Sequence, residues 1–176
     1  MAPISKKICL IGDFAVGKTS LIRRFVERQF EDKYLSTVGV KISRKSVKVA
    51  VGQQTEKLTL QLLIWDIEGS TKFKGIAPSY LQGAKAAIVV ADASRKETID
   101  HLLSHIEQFL SVNPKGLLAV ALNKSDLVDR EKLTRLLSIV QYGDRTEVLG
   151  TYSTSAKTGQ NVDEIFQKLA YEIINR

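Results

Sequence analysis

Cysteine is nearly absent from this 176-residue chain, which contains only Cys9. A single cysteine excludes an internal disulfide and a cysteine-based zinc site. No apolar run reaches the roughly 18 residues that a membrane-spanning helix needs, and the segment from Met1 to Lys7 lacks the apolar stretch of a secretory signal. The C-terminus has no cysteine for prenylation, and Ala2 stands where myristoylation requires glycine. We therefore expect a soluble, cytoplasmic protein without a lipid anchor.

The basic excess of the sequence is concentrated near its N-terminus. The chain has 26 Lys and Arg against 19 Asp and Glu, a net charge of +7. Residues 1–60 hold 12 basic and 5 acidic residues, whereas residues 61–176 hold 14 of each. Such an excess attracts an acidic protein, an anionic membrane or nucleic acid, but a solvated surface with lysines guarding an exposed strand also accounts for it. No nucleic-acid-binding motif accompanies the charge, so we expect no nucleic-acid partner.

Strand and helix patterns alternate along the chain. Short apolar segments typical of strands occupy residues 7–12, 38–50, 57–66, 86–91, 117–122 and 148–152. Helical periodicity follows the first of them and recurs near 75–82, 97–111, 130–141 and 162–175. This alternation predicts an α/β fold, a single domain over residues 1–176 with a mainly parallel sheet covered by helices on both faces. Ligands of such folds bind beyond the carboxyl ends of the strands.

One loop has the composition of a phosphate-binding loop. It lies between the first predicted strand and a predicted helix, and it matches the pattern G-x-x-x-x-G-K-T at Gly12, Asp13, Phe14, Ala15, Val16, Gly17, Lys18 and Thr19. Backbone N–H groups of such a loop surround a phosphate chain, and the helix N-terminus adds partial positive charge. Lys18 is expected to neutralise the β- and γ-phosphates and Thr19 to coordinate Mg²⁺. The loop predicts a nucleoside triphosphate without selecting its base.

A second motif selects guanine. Asn123, Lys124, Ser125 and Asp126 directly follow the strand predicted at 117–122. The carboxylate of Asp126 can accept hydrogen bonds from both N1–H and the exocyclic amine of guanine, whereas adenine offers no matching pair of donors. Polar groups left unpaired by the wrong ligand give discrimination on the order of 10⁴. A backbone N–H in the segment Ser155, Ala156 and Lys157 is expected to meet the guanine carbonyl oxygen.

With these motifs, the sequence resembles the Ras superfamily of small GTPases, and within it the Rab-like branch, from Lys6 to about Ile174. Residues 34–40 resemble the Rab switch I, residues 65–69 (WDIEG) resemble the entry to switch II, and residues 154–162 are similar to the last guanine loop. The resemblance implies the P-loop small GTPase fold, a mostly parallel six-stranded sheet with one antiparallel edge strand and helices on both faces. It also implies a monomer whose switch regions bind effectors, an exchange factor and a GTPase-activating protein.

The resemblance assigns roles to single residues. It implies that Thr37 binds Mg²⁺ and the γ-phosphate, that Asp66 holds Mg²⁺ through a water, and that the Gly69 N–H contacts the γ-phosphate. Phe30 is expected to pack across the base and Tyr34 to cover the phosphates. The expected metal ligands are Thr19, Thr37 and Asp66, and the expected catalytic residues are Lys18, Thr37, Gly69 and Ser70. The expected nucleotide contacts are Gly12, Asp13, Phe14, Ala15, Val16, Gly17, Lys18, Thr19, Ser20, Phe30, Tyr34, Thr37, Gly69, Asn123, Lys124, Asp126, Ser155, Ala156 and Lys157.

The sequence departs from the family pattern at its expected catalytic centre. Ser70 stands where most relatives have a glutamine that orients the attacking water. Phe14 and Ala15 stand where relatives carry small residues, usually including glycine. A phenyl ring there would crowd the γ-phosphate and the path of an inserted arginine, which is worth about 10³–10⁵ in rate. We therefore expect binding of GTP and GDP with slow intrinsic hydrolysis. There are two alternatives. The rate of hydrolysis is ordinary because Ser70 or a partner positions the water, or the protein is a GTP-binding module that does not hydrolyse GTP.

Three further features have mainly structural interpretations. Cys9 is expected to lie in the core. His101 and His105 are spaced like two helical metal ligands, but no third ligand has a recognisable spacing, and both are expected on the polar flank of their helix. Four basic residues fall on the segment that resembles the family's edge strand: Lys41, Arg44, Lys45 and Lys48. They protect that edge against pairing, or they bind an acidic protein or an anionic surface.

Overall fold

The computed structural model describes residues 3–33, 37–69 and 75–176. Within these ranges the strands are β1 (Ile4–Gly12), β2 (Val40–Ala50), β3 (Lys57–Ile67), β4 (Ala86–Asp92), β5 (Leu117–Asn123) and β6 (Val148–Ser153). The helices are α1 (Lys18–Glu27), α2 (Pro78–Leu81), α3 (Lys96–Asp100), α4 (Leu102–Val112), α5 (Arg130–Ile139) and α6 (Val162–Asn175), with a short 3₁₀ turn at Ser125–Leu127. None of these helices is long and apolar enough to cross a membrane.

The strands form one six-stranded sheet in the order β2-β3-β1-β4-β5-β6. The edge strand β2 pairs with β3 antiparallel, and every other neighbouring pair is parallel. All residues of β4 and β5 are buried, as expected of central parallel strands covered on both faces. The predicted fold class, including the single antiparallel edge strand, is confirmed.

Two apolar clusters pack against opposite faces of the sheet. One contains α1 and α6, whose rings Phe25 and Phe166 stack with their centroids 4.1 Å apart. The other contains α4 through Leu102, Ile106 and Phe109. Cys9 lies fully buried in this second cluster, which confirms its expected place in the core. Burial raises the pKa of its thiol to about 12, so the residue stays an unreactive thiol at neutral pH.

Most element boundaries differ from the sequence prediction by one to three residues, and two of the differences have a structural reason or consequence. Strand β1 begins at Ile4 rather than residue 7, because pairing with β3 extends from Ile4 opposite Leu60. The helix predicted over 97–111 consists of α3 and α4, which meet at His101. This junction matters for the site, because α3 and α4 follow the carboxyl end of β4 and run beside the phosphate loop.

The basic residues of β2 do not share one surface. Alternate residues of a strand point to opposite faces, and Val47 is buried on the face to which Lys41 and Lys45 also belong. Arg44 and Lys48 are exposed on the opposite face. The four charges are therefore divided two and two, so that only Arg44 and Lys48 form a pair on the outer face.

Candidate functional site

A cavity of about 300 Å³ opens at the carboxyl ends of the parallel strands. Its walls include most of the residues expected to contact a nucleotide, namely Phe14, Ala15, Gly17, Lys18, Thr19, Ser20, Phe30, Thr37, Asp66, Gly69, Asn123, Lys124, Asp126, Ala156 and Lys157. Glu31, Asp32, Lys33, Ile67 and Leu127 also line it, although sequence reasoning did not select them. The volume lies at the lower end of the range for small-molecule sites.

Some of the expected residues are not part of the cavity wall. Gly12, Asp13, Val16 and Ser155 lie behind it and hold the loops through hydrogen bonds. Tyr34 and Ser70 lie outside the described residues. Their expected roles over the phosphates and beside the attacking water therefore remain predictions.

The carbonyl groups of the phosphate loop accept hydrogen bonds from three side chains that also line the cavity. Lys18 donates from Nζ to the carbonyl oxygens of Gly12 at 3.1 Å and Asp13 at 2.7 Å. Lys124 donates to Ala15 O at 2.8 Å, and Asn123 donates to Val16 O at 2.9 Å. Burial lowers the pKa of Lys18 to about 8, although the nearby carboxylates favour the charged ammonium. A phosphate chain would supply the negative charge that this buried lysine needs.

Two glycines allow the loops around the cavity to approach one another closely. Gly17 has φ +100°, and a Cβ at this position would lie 2.3 Å from Asn123 Nδ2. A Cβ on Gly69 would lie 2.7 Å from the Cα of Phe14. Both approaches therefore need glycine. The absence of a side chain at Gly69 allows the end of the segment that follows β3 to lie directly against the phosphate loop.

Three oxygen-bearing side chains meet beside Lys18. Thr19 Oγ1 donates to Asp66 Oδ2 at 2.6 Å, Thr37 Oγ1 donates to the same atom at 3.1 Å, and the two hydroxyls are 2.7 Å apart. Burial raises the pKa of Asp66 above its ordinary value, and the two hydroxyl hydrogen bonds oppose this shift. The other carboxylate oxygen, Oδ1, is buried without a hydrogen-bond partner among the described residues. A hard divalent cation such as Mg²⁺ fits this set of oxygens and the orphaned carboxylate atom.

The opposite end of the cavity contains Asp126. Ser155 Oγ donates to Asp126 Oδ1 at 2.7 Å, which fixes the orientation of the carboxylate. The N–H of Ser155 is engaged by Gln160 O at 3.1 Å, so Ala156 and Lys157 are the residues left to meet a base carbonyl. Asn123 connects the two ends of the cavity, because it also accepts from Thr154 Oγ1 at 3.1 Å.

Sequence reasoning missed Arg24, which holds the loop beside Asp126. Arg24 lies on α1 and donates from Nε to Ala156 O at 2.7 Å and from Nη2 to Lys157 O at 2.6 Å. These bonds turn the two carbonyls towards α1. The first helix thus positions the loop at residues 155–157, which is predicted to contact guanine, as well as the phosphate loop.

One of the two histidines, His105, occupies a different place from the one predicted. His105 is buried rather than on the polar flank, and its Nε2 lies 2.8 Å from Asp13 Oδ1. His101 is exposed, and its Nδ1 lies 2.5 Å from Asp13 Oδ2. These are hydrogen-bond distances, and no group of metal-ligating side chains is found in the part of the chain that the structure describes. The histidines attach α4 to the phosphate loop.

Burial of His105 makes the stability of the protein depend on pH. Burial lowers the pKa of the imidazole, while Asp13 favours its charged form and Lys18 and His101 disfavour it. Below about pH 6.5 the unfolded chain binds a proton that the folded chain resists, so the free energy of unfolding decreases as the pH falls. One such proton changes that free energy by at most about 1.4 kcal/mol per pH unit. We expect His105→Gln to reduce this dependence.

Urea unfolding between pH 5 and pH 7.5, at constant nucleotide and salt, measures the effect of His105. His101→Gln is the matched control, because His101 contacts the same carboxylate from an exposed position. Equal pH dependence in wild type and His105→Gln would contradict the expectation.

The geometry defines the class of protein. In this α/β sheet, a phosphate loop follows β1, a carboxylate–hydroxyl cluster lies at the end of β3, and an oriented aspartate follows β5. This is the arrangement of a P-loop GTPase. The sequence profile of the Ras family matches residues 7–175. The chain belongs to the Ras family.

Individual relatives place the chain near the Rab proteins. It is 34% identical to the GTP-binding protein ypt5 of Schizosaccharomyces pombe over 171 residues, 97% of this chain and 78% of the relative. It is 34% identical to human Ras-related protein Rab-22A over 175 residues, 98% of this chain and 86% of the relative. The Arabidopsis thaliana Ras-related protein RABF2b is also 34% identical, over 95% of this chain and 80% of the relative. The predicted Rab-like membership of the Ras superfamily is confirmed.

Proposed function

We propose that this protein is a guanine-nucleotide-dependent switch that binds GTP and GDP with Mg²⁺ and hydrolyses GTP to GDP and phosphate, slowly without a partner. One observation supports the proposal most directly. The buried ammonium of Lys18, the oxygen cluster around Asp66 and the oriented carboxylate of Asp126 line the same cavity. They match in turn the phosphates, the metal ion and the base of GTP.

The proposed reaction relies on positioning and electrostatics. Lys18 and the loop N–H groups bind the phosphate oxygens and stabilise the charge that develops as the bond to the γ-phosphate breaks. Mg²⁺, when bound to Thr19 and Thr37 and through a water to Asp66, supplies further neutralisation of that charge. Water attacks in line, and no covalent intermediate forms. Ser70 stands at the position that orients this water in most relatives, and its shorter side chain is our reason for proposing slow turnover.

The same contacts account for switching. Thr37 and Gly69 border the two segments that resemble switch I and switch II, and both are proposed to contact the γ-phosphate. Loss of the γ-phosphate removes these anchors, so the two segments change conformation and release their effectors. We propose that effectors, an exchange factor and a GTPase-activating protein bind there, and that the protein acts as a cytoplasmic monomer with one G domain over residues 1–176.

Single-turnover hydrolysis tests the proposed function. The purified protein is loaded with GTP and Mg²⁺, and the GDP fraction is followed over hours, with ATP loaded in parallel. We expect GTP to be retained and ATP not, and GTP to convert slowly to GDP. Failure to retain GTP would overturn the proposal. Conversion within minutes would overturn only the slow rate.

A non-hydrolysing GTP-binding module is the alternative that Ser70 and Phe14 favour. It shares every proposed binding residue with the switch and differs only in turnover. GTP that persists in the single-turnover assay without conversion, also after a cellular extract has been added as a source of activating partner, would favour this module.

The outer face of β2 is proposed to bind an anionic membrane surface. Arg44 and Lys48 are exposed there, away from the cavity, whereas Lys41 acts on the charge of Asp66 and is unsuitable for a test. Each basic residue near an anionic surface contributes about 1 kcal/mol, so Arg44→Gln with Lys48→Gln should weaken binding roughly 30-fold.

Sedimentation with phosphatidylserine-containing vesicles measures this binding. Lys96→Gln with Lys115→Gln is the control for total charge, because both residues are exposed elsewhere. Equal loss in both double variants, or no loss in either, would leave protection of the sheet edge as the role of Arg44 and Lys48.

A further inference from the structure

Arg95 contacts the phosphate loop from outside and belongs to none of the recognised motifs. Its Nη1 donates to Phe14 O at 3.2 Å and to Ala15 O at 3.3 Å, and its Nη2 donates to Phe14 O at 3.2 Å. The carbonyls of Gly12 and Asp13 accept from Lys18, and that of Val16 accepts from Asn123. The Ala15 carbonyl also accepts from Lys124 at 2.8 Å, so Arg95 shares this acceptor with Lys124. Arg95 therefore adds a contact with Phe14 O to the side-chain hydrogen bonds that hold the carbonyls of the loop.

The position that Arg95 holds has a strained backbone. Ala15 has φ 63°, in the left-handed region that disfavours an L side chain and that glycine adopts freely. Arg95 bonds to the carbonyl of the peptide that precedes Ala15 and to the carbonyl of the peptide that follows it. Both hydrogen bonds oppose rotation of Ala15 out of this conformation.

Arg95 is itself held in place. Its backbone N–H donates to Asp92 O at 3.0 Å, directly after β4. The buried hydroxyl of Thr98 donates to Arg95 O at 2.8 Å. The guanidinium Nε lies 3.2 Å from Glu97 Oε1, which leaves its two terminal nitrogens directed at the loop. An arginine fixed at three points can restrain a loop, whereas a freely moving side chain cannot.

We propose that Arg95 is a positioning residue that holds the phosphate loop in its binding conformation and thereby slows nucleotide release. The inference rests on the proposed function, because it names a determinant of nucleotide retention at the same cavity. When the carbonyls of Phe14 and Ala15 are held outward, the N–H groups of the following residues point inward, where they bind phosphate oxygens. Without Arg95 the Ala15 carbonyl keeps its hydrogen bond to Lys124, but the Phe14 carbonyl loses the guanidinium. Ala15 then relaxes towards ordinary backbone angles by rotation of the peptide that precedes it, and the N–H of that peptide turns away from the phosphates.

Release of a fluorescent GDP analogue, chased with excess GDP at constant Mg²⁺, tests the inference. We expect Arg95→Ala to accelerate release at least tenfold and Arg95→Lys to do so less, because lysine keeps a donor without the fork. The double variant Arg95→Ala with Ala15→Gly should release nucleotide more slowly than Arg95→Ala alone, because glycine needs no restraint at this φ. Lys96→Ala is the control, since Lys96 is exposed and pairs only with Asp100 among the described residues.

The outcomes separate the inference from its premises. Unchanged release in Arg95→Ala, or no recovery in the double variant, would overturn the role of Arg95 as a restraint on Ala15. If Arg95→Ala does not fold, as judged by circular dichroism, Arg95→Gln is used with the same expected order of rates. A wild-type protein that binds ATP analogues but no GDP analogue would instead refute the proposed function. If the wild-type protein binds both kinds of analogue, the release rates of the Arg95 variants still decide the role of Arg95.

Discussion

Substitution of Asp126 by asparagine is expected to lower the affinity for GTP by roughly three orders of magnitude and to create affinity for xanthosine triphosphate. The expected loss follows from the geometry of the site. The carboxylate of Asp126 is expected to accept from both N1–H and the exocyclic amine of guanine. In the asparagine variant, the amide NH₂ donor faces one of these two guanine donors. Sites that depend on such hydrogen bonds reject a mismatched ligand by on the order of 10⁴ or more.

Ser155 determines which end of the new amide faces the base. Its hydroxyl donates to Asp126 Oδ1 at 2.7 Å, and an asparagine keeps this bond only with its oxygen at that position. The amide nitrogen then occupies the position of Oδ2. Because xanthine has a carbonyl where guanine has an amine, it offers this nitrogen an acceptor.

Competition against a fluorescent GDP analogue measures the change, with GTP, xanthosine triphosphate and ATP as competitors. Asp129→Asn is the control, because Asp129 is a nearby carboxylate that does not line the cavity and accepts from the backbone N–H of Lys132 at 2.7 Å at the start of α5. An Asp126→Asn variant that still prefers GTP would remove Asp126 as the base-recognising residue.

The fold was predictable because each segment carries its own pattern. Continuous apolar runs predicted the central strands β4 and β5, which are buried along their whole length. The apolar and β-branched residues of 57–66 predicted β3, which is covered less completely and whose buried residues alternate along most of its length. Element ends were less predictable. Ser5 and Lys6 carry no strand signal of their own, and they are strand residues because β3 pairs with them.

The candidate site was predictable where its chemistry is contained in contiguous motifs. Lys18 and Asp126 belong to short loops whose residue types follow from phosphate and guanine chemistry. Arg24, Arg95 and His105 were missed because their partners lie 132, 81 and 92 residues away, respectively. Local sequence patterns do not predict contacts between residues so far apart in the chain.

One missed residue did leave a signal in the sequence. The buried residues of α4 are Leu102, His105, Ile106 and Phe109, which follow the spacing i, i+3, i+4, i+7 of a buried helical face. His105 was assigned to the polar flank because of its residue type. Its position in the pattern indicated burial, and a buried imidazole needs a hydrogen-bond partner. Asp13 is that partner.

Replacement of Ser70 by glutamine is expected to raise the rate of single-turnover GTP hydrolysis at least tenfold. The physical reason is that glutamine orients the attacking water in most relatives. Its amide oxygen and nitrogen lie three bonds beyond Cβ, whereas serine has only a hydroxyl, one bond beyond Cβ. A tenfold change corresponds to 1.36 kcal/mol of activation free energy, about what one well-placed hydrogen bond contributes. Preloading the protein with GTP separates this rate from changes in affinity. Ser138→Gln, at an exposed position of α5, is the matched control.

Phe14 determines how the result for Ser70 is interpreted. Phe14 belongs to the phosphate loop, is 48% exposed and lines the cavity, so we expect its ring to compete for space near the γ-phosphate. A rate increase in Ser70→Gln alone would attribute slow hydrolysis to the missing amide. An increase that requires Phe14→Ser as well would attribute it to the ring, because the glutamine could reach the water only after the ring is removed. No increase in the double variant would contradict both explanations, since neither a missing amide nor a crowded γ-phosphate would then limit the rate.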